Sequence, residues 1–268
     1  GAVRNTAAMA TTAAITERIV SPSWIPERAT SCWTNVVGCI PFLPALPGGG
    51  VYYTASPAGL PARERQTMID ELLQGNKRYL ANEFNPNAEY YHAIADHQTP
   101  KVLWIGCSDS RVSEHQMTGS KPGTMFVHRN IANIVAFNDV NISAILEYAV
   151  VHLKVEDIIV CGHTRCGGIA AIEDGVRENY IADWLCIATG AKEAADRIAR
   201  ERSLSREEKL AVLTEENVKL QIKHLRNLAL IRNMHAQGER PRIHGWLYRV
   251  EDGTIDILVD GRGSQTTA

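Results

Sequence analysis

Two short apolar runs, each ending in potential metal ligands, restrict the fold more than any other feature of the sequence. The run KVLWIG (101–106) leads into CSDSR, which begins at Cys107, and DIIVCG (157–162) leads into HTRCGG, which contains His163 and Cys166. Apolar runs of this length are typical of strands that are buried on both faces of a parallel sheet. We therefore expect a sheet with these two strands in its interior.

Strands and helices alternate along the rest of the chain. TMFVHR (124–129) is a further candidate strand, and NDVNISAILEYAVVHLK (138–154) has apolar residues on one helical face. HGWLYRVEDGTIDILVD (244–260) indicates two strands joined by a turn at Asp252 and Gly253. The pattern predicts an α/β fold: a mixed sheet with a parallel core flanked by helices, and a C-terminal antiparallel hairpin.

The first 60 residues differ in composition from the remainder. They are rich in Ala, Thr, Ser, Pro and Gly, and the prolines of IPFLPALPGGG (40–50) forbid a continuous helix there. We expect residues 1–60 to be an N-terminal extension, either an arm or a targeting segment, and residues 61–268 to be one folded domain. The acid-poor first sixteen residues partly match a mitochondrial transit peptide. This predicts the mitochondrial matrix, with the cytoplasm as the alternative.

Two further helical regions are predicted. PARERQTMIDELLQGNKRYLANEF (61–84) has the spacing of an amphipathic helix that precedes the sheet. The charged segment 181–235 is also helical in pattern. We interpret it as a covering helical region that could also serve a dimer, and its apolar stripe consists of Val212, Val218, Ile222, Leu225 and Leu228.

Charge and composition exclude several classes of partner. The net charge is −2 and the basic residues are scattered, so no surface for nucleic acid is expected. No run of about 18 apolar residues could span a bilayer as a transmembrane segment. Six cysteines are too few for a disulfide scaffold in a chain of 268 residues, which favours a reducing compartment. Small solutes are the expected ligands.

The residues at the two strand ends form a candidate zinc site. Parallel strands bring their carboxyl ends to one edge of the sheet, so Cys107, His163 and Cys166 should converge although 56 residues separate the first two. Two thiolates and one imidazole suit Zn²⁺, and three protein ligands leave a fourth position for water, as in catalytic sites.

A nucleophilic cysteine is the alternative interpretation. Arg111 follows Cys107 by only four positions, which gives too short a loop for a cysteine phosphatase, and HTRC has a histidine where a redox pair needs its first cysteine. The other cysteines are expected to be structural: Cys32, Cys39, Cys161 and Cys186.

Four segments together resemble one enzyme family. CSDSR (107–111) followed by HTRCGG (163–168), with MFVHRNIAN (125–133) and IHGWLYRVEDG (243–253), is similar to the β-class carbonic anhydrases from about residue 65 to 260. The resemblance implies a Zn²⁺ cofactor and reversible hydration of CO2 to bicarbonate and a proton, with a zinc-bound hydroxide as nucleophile. It also implies a homodimer, and a tetramer or larger assembly.

The resemblance also implies roles for five other residues. Asp109 would orient the hydroxide, and Arg111 would hold Asp109 in a charge-assisted pair. In a closed state, Asp109 would swing to the metal as a fourth ligand. Trp104, Arg129 and Tyr148 resemble the regulatory bicarbonate site of the allosteric branch of the family, with core packing or an ion pair as the alternative.

Two other functions fit the same residues. A sister hydrolase could use the same zinc site on CS2 or COS, since a metal hydroxide can attack either carbon. A non-enzymatic zinc protein is the third hypothesis. It is disfavoured by the Asp109–Arg111 pair, because a structural site would want a permanent fourth ligand.

Overall fold

The computed structural model describes residues 67–238 and 240–263, and a five-stranded sheet forms the centre of this part of the chain. Its strands are β1 Val102–Cys107, β2 Met125–Asn130, β3 Asp157–His163, β4 Arg242–Tyr248 and β5 Ile255–Val259. In the order β2–β1–β3–β4–β5, the first four strands are parallel and β5 is antiparallel to β4. The predicted mixed sheet and C-terminal hairpin are confirmed.

Helices flank the sheet on the segments that connect its strands. Within the described residues they are α1 Met68–Tyr79, α2 Ala88–Ala93, α3 Glu114–Thr118, α4 Val140–Glu147, α5 Gly167–Asp174, α6 Asn179–Leu185, α7 Thr189–Arg202, α8 Arg206–Asn227 and α9 Ala229–Ala236. Two of them, α1 and α4, continue into π-helical turns at Leu80–Phe84 and Tyr148–His152. The predicted helical region 181–235 is therefore several helices rather than one.

The two faces of β1 and β3 pack against different layers. On one face, Leu103 and Ile105 join a core with the buried residues of α4 and α8. On the other face, Trp104 packs with Ile159 of β3, and Trp246 and Tyr248 of β4 lie against them. This alternation is the ordinary period of two residues in a strand, and it decides which side chains can meet near the strand ends.

Helix α8 is pressed closely against the sheet. Its N-terminus is a capping box in which Ser205 and Glu208 satisfy each other's backbone amides. A Cβ atom at Gly162 of β3 would lie 2.7 Å from Val218, and one at Gly245 of β4 would lie 2.5 Å from Ile222. These glycines therefore allow an approach that any larger residue would prevent, and they fix α8 relative to both strands.

Helix α1 precedes the sheet, as predicted, and it begins at a capping box formed by Thr67 and Asp70. None of its residues is buried within the described part of the chain, and four apolar side chains are more than 60% exposed, those of Met68, Ile69, Leu72 and Leu73. The expected extension, residues 1–60, lies outside the described residues. No helix among those described combines the length and apolar character that crossing a bilayer requires.

Candidate metal centre

The three predicted zinc ligands meet where the two central strands end. Strand β1 ends at Cys107 and β3 at His163, and the strands run parallel and adjacent. Cys166 follows as the residue that precedes α5. The ligating atoms of the three residues all lie within 4.8 Å of one another, and all three residues are buried. The sequence-based expectation of convergence is therefore met.

The imidazole of His163 is oriented for a ligand. Its Nδ1 donates a hydrogen bond to the backbone oxygen of Thr164 at 2.9 Å, because a carbonyl oxygen can only accept. Nε2 therefore carries a lone pair. This atom is buried and has no hydrogen-bond partner in the described residues, although His163 is only 1% exposed. A buried unpaired acceptor is costly, and a metal ion satisfies it.

The two thiol groups behave as a pair. Their sulfur atoms are 3.8 Å apart. The pKa of Cys107 is lowered, chiefly because its thiolate accepts a hydrogen bond from the Cys166 thiol, and the backbone amides of Asp109 and Ala132 act in the same direction. The pKa of Cys166 is raised, because the hydrogen bond to Cys107 and burial keep its proton in place. A dication at this point would replace that shared proton, so the donor set fits Zn²⁺.

Asp109 is held beside the three ligands by Arg111. The guanidinium donates from Nε to Oδ1 at 2.9 Å and from Nη2 to Oδ2 at 2.7 Å, and the Arg111 amide also donates to Oδ1 at 3.0 Å. These bonds keep the pKa of Asp109 well below its usual range, against a smaller opposing effect of burial. Because its pKa is lowered, the carboxylate is ionised, and its Oδ2 lies 3.8 Å from His163 Nε2, next to the expected metal position.

Arg111 also connects Asp109 to the second ligand loop. Its Nη2 donates to the backbone oxygen of Arg165 at 3.0 Å. Arg165 has a φ of +56° and immediately precedes Cys166. The same guanidinium thus bridges the loop that follows β1 and the loop that follows β3, so Asp109 and Cys166 are positioned by one side chain.

Trp104 and Arg129, two of the predicted regulatory residues, lie on the neighbouring strands β1 and β2. Trp104 is fully buried, and its indole Nε1 has no hydrogen-bond partner in the described part of the chain. Arg129 donates from Nε to the Cys107 oxygen at 2.9 Å and from Nη2 to the Asp109 oxygen at 2.7 Å. Its Nη1 is 3.9 Å from Glu114 Oε2, a loose ion pair. Arg129 therefore grips the backbone of the segment that carries Asp109.

Tyr148 is not brought together with Trp104 and Arg129. Its ring contacts Phe126 and His152, with centroids 5.7 and 5.5 Å away, on the face of the sheet opposite Trp104. The separation arises because the helix that begins with α4 covers that opposite face. Tyr248, at the end of β4, packs on the Trp104 side. The spacing in GWLY indicates that Tyr248 shares a strand face with Trp246, but not which face of the sheet that is.

The remaining described cysteines lie apart from the three ligands. Cys161 is buried in the cluster around Trp104, where burial raises its pKa to about 12. Cys186 is exposed, and its thiol donates to the Asp183 oxygen at 3.0 Å. Both fit the structural role that was expected. Cys32 and Cys39 lie outside the described residues.

Comparisons with known proteins agree on one family. A model of the carbonic anhydrase family matches residues 102–255. A curated carbonic anhydrase of Emericella nidulans is 32% identical over 197 residues, which is 72% of this chain and 85% of that protein. β Carbonic anhydrase 6, mitochondrial, of Arabidopsis thaliana is 34% identical over 205 residues, 72% of this chain and 70% of that protein. A crystal structure of a tetrameric β-carbonic anhydrase from Sordaria macrospora matches with a TM-score of 0.66 at 35% identity, covering 72% of this chain and 97% of that one.

Proposed function

Because the chain belongs to the β-class carbonic anhydrase family, we propose that its reversible hydration of CO2 to bicarbonate and a proton takes place at Zn²⁺ held by Cys107, His163 and Cys166. The observation that carries the ligand assignment is the buried imidazole of His163, whose Nε2 is unpaired among the described residues and whose ligating nitrogen lies within 4.8 Å of both sulfurs. Two sulfur ligands and one nitrogen ligand suit zinc, and three protein ligands leave one position open.

Asp109 has the catalytic role in this proposal. Bound zinc would supply a hydroxide nucleophile near neutral pH. The lowered pKa of Asp109 keeps its carboxylate ionised near neutral pH. Oδ2 can therefore accept a hydrogen bond from the nucleophile and orient the nucleophile's lone pair toward CO2. Arg111 fixes the direction of the carboxylate through two charge-assisted hydrogen bonds.

A closed state is compatible with the same geometry. Asp109 Oδ2 is only 3.8 Å from His163 Nε2, so a side-chain rotation away from Arg111 would bring it into the ligand cluster as a fourth donor. In the arrangement described here, the carboxylate is bound to Arg111. We infer that this arrangement is the active one and that the rotated one is inactive.

We also propose that bicarbonate regulates this choice. The unpaired Trp104 Nε1 and the guanidinium of Arg129 are the donors that such an anion would use. Since Arg129 Nη2 holds the Asp109 carbonyl, an anion at Arg129 would compete for that bond and free the loop that positions the carboxylate. Tyr248, which shares the Trp104 side of the sheet, is a better third residue than Tyr148.

Assembly and compartment are further parts of the proposal. The tetrameric Sordaria relative supports a homodimer that forms a tetramer or larger assembly, and the exposed apolar residues of α1 are available for subunit contacts. Light scattering on the purified full chain tests this. The mitochondrial Arabidopsis relative supports the mitochondrial matrix, with the cytoplasm as the alternative, and fluorescent tagging with and without residues 1–60 distinguishes them.

Neither alternative function has an observation in its favour. The relatives described above are named carbonic anhydrases rather than CS2 or COS hydrolases. A purely structural zinc site would not need an ionised carboxylate held 3.8 Å from one of its ligands.

Stopped-flow CO2 hydration on protein of measured zinc content tests the proposed function. Asp109→Ala should retain zinc and lose about two orders of magnitude or more in kcat, the usual contribution of a positioned proton acceptor. Asp174→Ala is the matched control, since Asp174 forms an exposed pair with Arg206 and should leave kcat unchanged. Stoichiometric zinc without CO2 hydration in the parent would refute the proposal.

A further inference from the structure

The segment Ile131–Asn133 lies against the sulfur ligands in a strained backbone conformation. Ala132 and Asn133 have φ angles of +63° and +48°, in the left-handed region that costs a non-glycine residue roughly 1–2 kcal/mol. Both residues are buried. Ala132 packs in one buried cluster with the two sulfur ligands, Cys107 and Cys166. Strain of this kind persists only where surrounding contacts maintain it.

Side chains on one face of α8 supply those contacts. Asn217 Nδ2 donates to the Ala132 oxygen at 3.0 Å, and Gln221 Oε1 accepts from the Val135 amide at 2.8 Å. Gln221 Nε2 donates to Asn217 Oδ1 at 2.8 Å, so the two side-chain amides form one continuous chain of hydrogen bonds. Further along the helix, His224 Nδ1 donates to the Val135 oxygen at 3.0 Å. The helix therefore holds this backbone at both ends of the strained turn.

The side-chain amides of Asn217 and Gln221 are buried, so each depends on its hydrogen-bond partners. Asn217 and Gln221 are 1% and 0% exposed, and a buried amide that loses its partner costs about 1–3 kcal/mol. Thr214 provides a contrast on the same helix. It is also buried, but its hydroxyl donates to the Leu210 oxygen of α8 itself. The polar groups of Asn217 and Gln221 instead reach across to the segment beside the ligands.

The helix that carries these side chains is registered against a ligand strand. Val218, the neighbour of Asn217, would be only 2.7 Å from a Cβ atom at Gly162, and Gly162 directly precedes His163. Helix α8 therefore cannot shift along β3 without collision. It fixes the Ala132 turn relative to the strand that supplies the histidine ligand.

We propose that Asn217 and Gln221 are positioning residues for the metal centre, a role that presupposes the zinc ion of the proposed function. They hold Ala132 in its left-handed conformation and so keep this turn packed against Cys107 and Cys166. A closely packed turn restricts where the two sulfur atoms can lie. Groups that support ligands in this way typically change metal affinity 10- to 100-fold when they are removed.

Two substitutions test the role. Asn217→Leu is close in volume and removes both hydrogen bonds of the Asn217 side chain. Gln221→Met removes the bonds of Gln221 to the Val135 amide and to Asn217 Oδ1. Zinc affinity is measured by competition with a chromophoric chelator, and the thiolate-to-metal charge-transfer absorption is recorded on Co²⁺-substituted protein. Affinity should fall about 10- to 100-fold and the absorption should shift. Thr214→Val is the matched control and should change neither measurement.

A further substitution, Ala132→Gly, separates an effect on ligand position from an effect on general stability. Glycine adopts positive φ without the Cβ penalty. Ala132→Gly introduced into Asn217→Leu should therefore recover part of the lost zinc affinity, although it restores none of the hydrogen bonds in the core. Thermal unfolding of the zinc-free variants records stability independently of metal binding.

Each result decides between a positioning role and a structural one. Reduced stability with unchanged zinc affinity and an unchanged cobalt spectrum would overturn the proposal, and so would the absence of any recovery in the Ala132→Gly double variant. If Asn217→Leu does not fold, Gln221→Met decides, because it is the milder change and still removes the bonds of Gln221 to the Val135 amide and to Asn217 Oδ1. A parent protein that binds no zinc would refute the proposed zinc site instead.

Discussion

Replacing Gly106 by alanine tests what sets the position of the Trp104 indole. A methyl group at residue 106 would stand 2.5 Å from Nε1 and 3.1 Å from Cδ1 of Trp104. Carbon atoms in good contact are about 3.5–4.0 Å apart, so the indole would have to move by roughly 1 Å or turn. The absent side chain of Gly106 is therefore what admits the edge of the ring.

The loss of stability caused by Gly106→Ala follows from the close packing of residue 106 against Trp104. Trp104 is 0% exposed, and β1 is hydrogen-bonded to β2 on one side and β3 on the other, so neither the ring nor the strand gives way freely. Overpacking of this kind typically costs about 1–3 kcal/mol. For a folded unit of about 200 residues, each kcal/mol lowers Tm by roughly 2–4 °C. We expect Gly106→Ala to lower Tm by about 2–12 °C.

A double-mutant cycle assigns this cost to the indole. Trp104→Phe removes Nε1, so Gly106→Ala should be less destabilising in that background, with a coupling energy of about 0.5–3 kcal/mol. Gly75→Ala is the control, because its Cβ would meet only the Arg78 guanidinium at 3.7 Å. In the interior of α1 it should stabilise by roughly 0.5–1 kcal/mol. Equal costs of Gly106→Ala in the parent and in the Trp104→Phe variant would refute the reasoning.

The same variant examines the regulatory proposal. A turned indole would move the unpaired Nε1, one of the two donors of the proposed bicarbonate site, so CO2 hydration by Gly106→Ala should be less sensitive to added bicarbonate than that of the parent. Stopped-flow assays across pH and bicarbonate concentration measure this. In the parent, activity should fall at lower pH and with added bicarbonate; a parent that bicarbonate does not inhibit would contradict the proposal.

Three further predictions concern charge and metal. Arg111→Lys can keep only part of the fork that holds Asp109, so kcat/KM should fall about tenfold, equivalent to ~1.4 kcal/mol, with zinc content unchanged; full activity would show that Arg111 does not position the carboxylate. Burial alone would raise the pKa of Asp157, but hydrogen bonds from Arg242 and His244 lower it overall, so this carboxylate stabilises the fold above about pH 4 and the contribution is lost as pH falls below that. Arg242→Met should therefore move the acid-unfolding midpoint, followed by circular dichroism, to higher pH, and an unmoved midpoint would contradict this. Removal of zinc by a chelator should abolish CO2 hydration and lower Tm in calorimetry, because binding to the folded state alone adds stability by mass action; an unchanged Tm would show that the ion does not couple to folding.

The convergence of Cys107, His163 and Cys166 was predictable because each residue lies at the end of a recognisable strand or directly after one. An apolar run without alternation indicates a buried strand, and parallel strands align their carboxyl ends. Cys107 and His163 each end such a run, and Cys166 follows within one turn. The one non-local condition was that the two strands be neighbours, and the pairing of β1 with β3 meets it.

The placement of Tyr148 was not accessible in the same way. Helical spacing identifies the apolar face of a helix, but it does not say which face of the sheet that helix covers. Tyr148 follows α4, which packs on the Leu103 side, whereas Trp104 points to the other side. Tyr248 could be placed with Trp104 only once β4 was known to pair with β3.

Asn217 and Gln221 show why a sequence pattern can misjudge a polar residue. In a helix rich in charged side chains, an asparagine and a glutamine four positions apart would ordinarily be assigned to the solvent-facing side. Here they lie among Val218 and Ile222 on the buried side, where they bind the Ala132 oxygen and the Val135 amide. The apolar stripe is therefore necessary for α8 to dock, but it is not sufficient for α8 to support the metal centre. If Asn217 and Gln221 act as proposed, replacing them while keeping every apolar position of α8 should leave the fold intact and still weaken zinc binding.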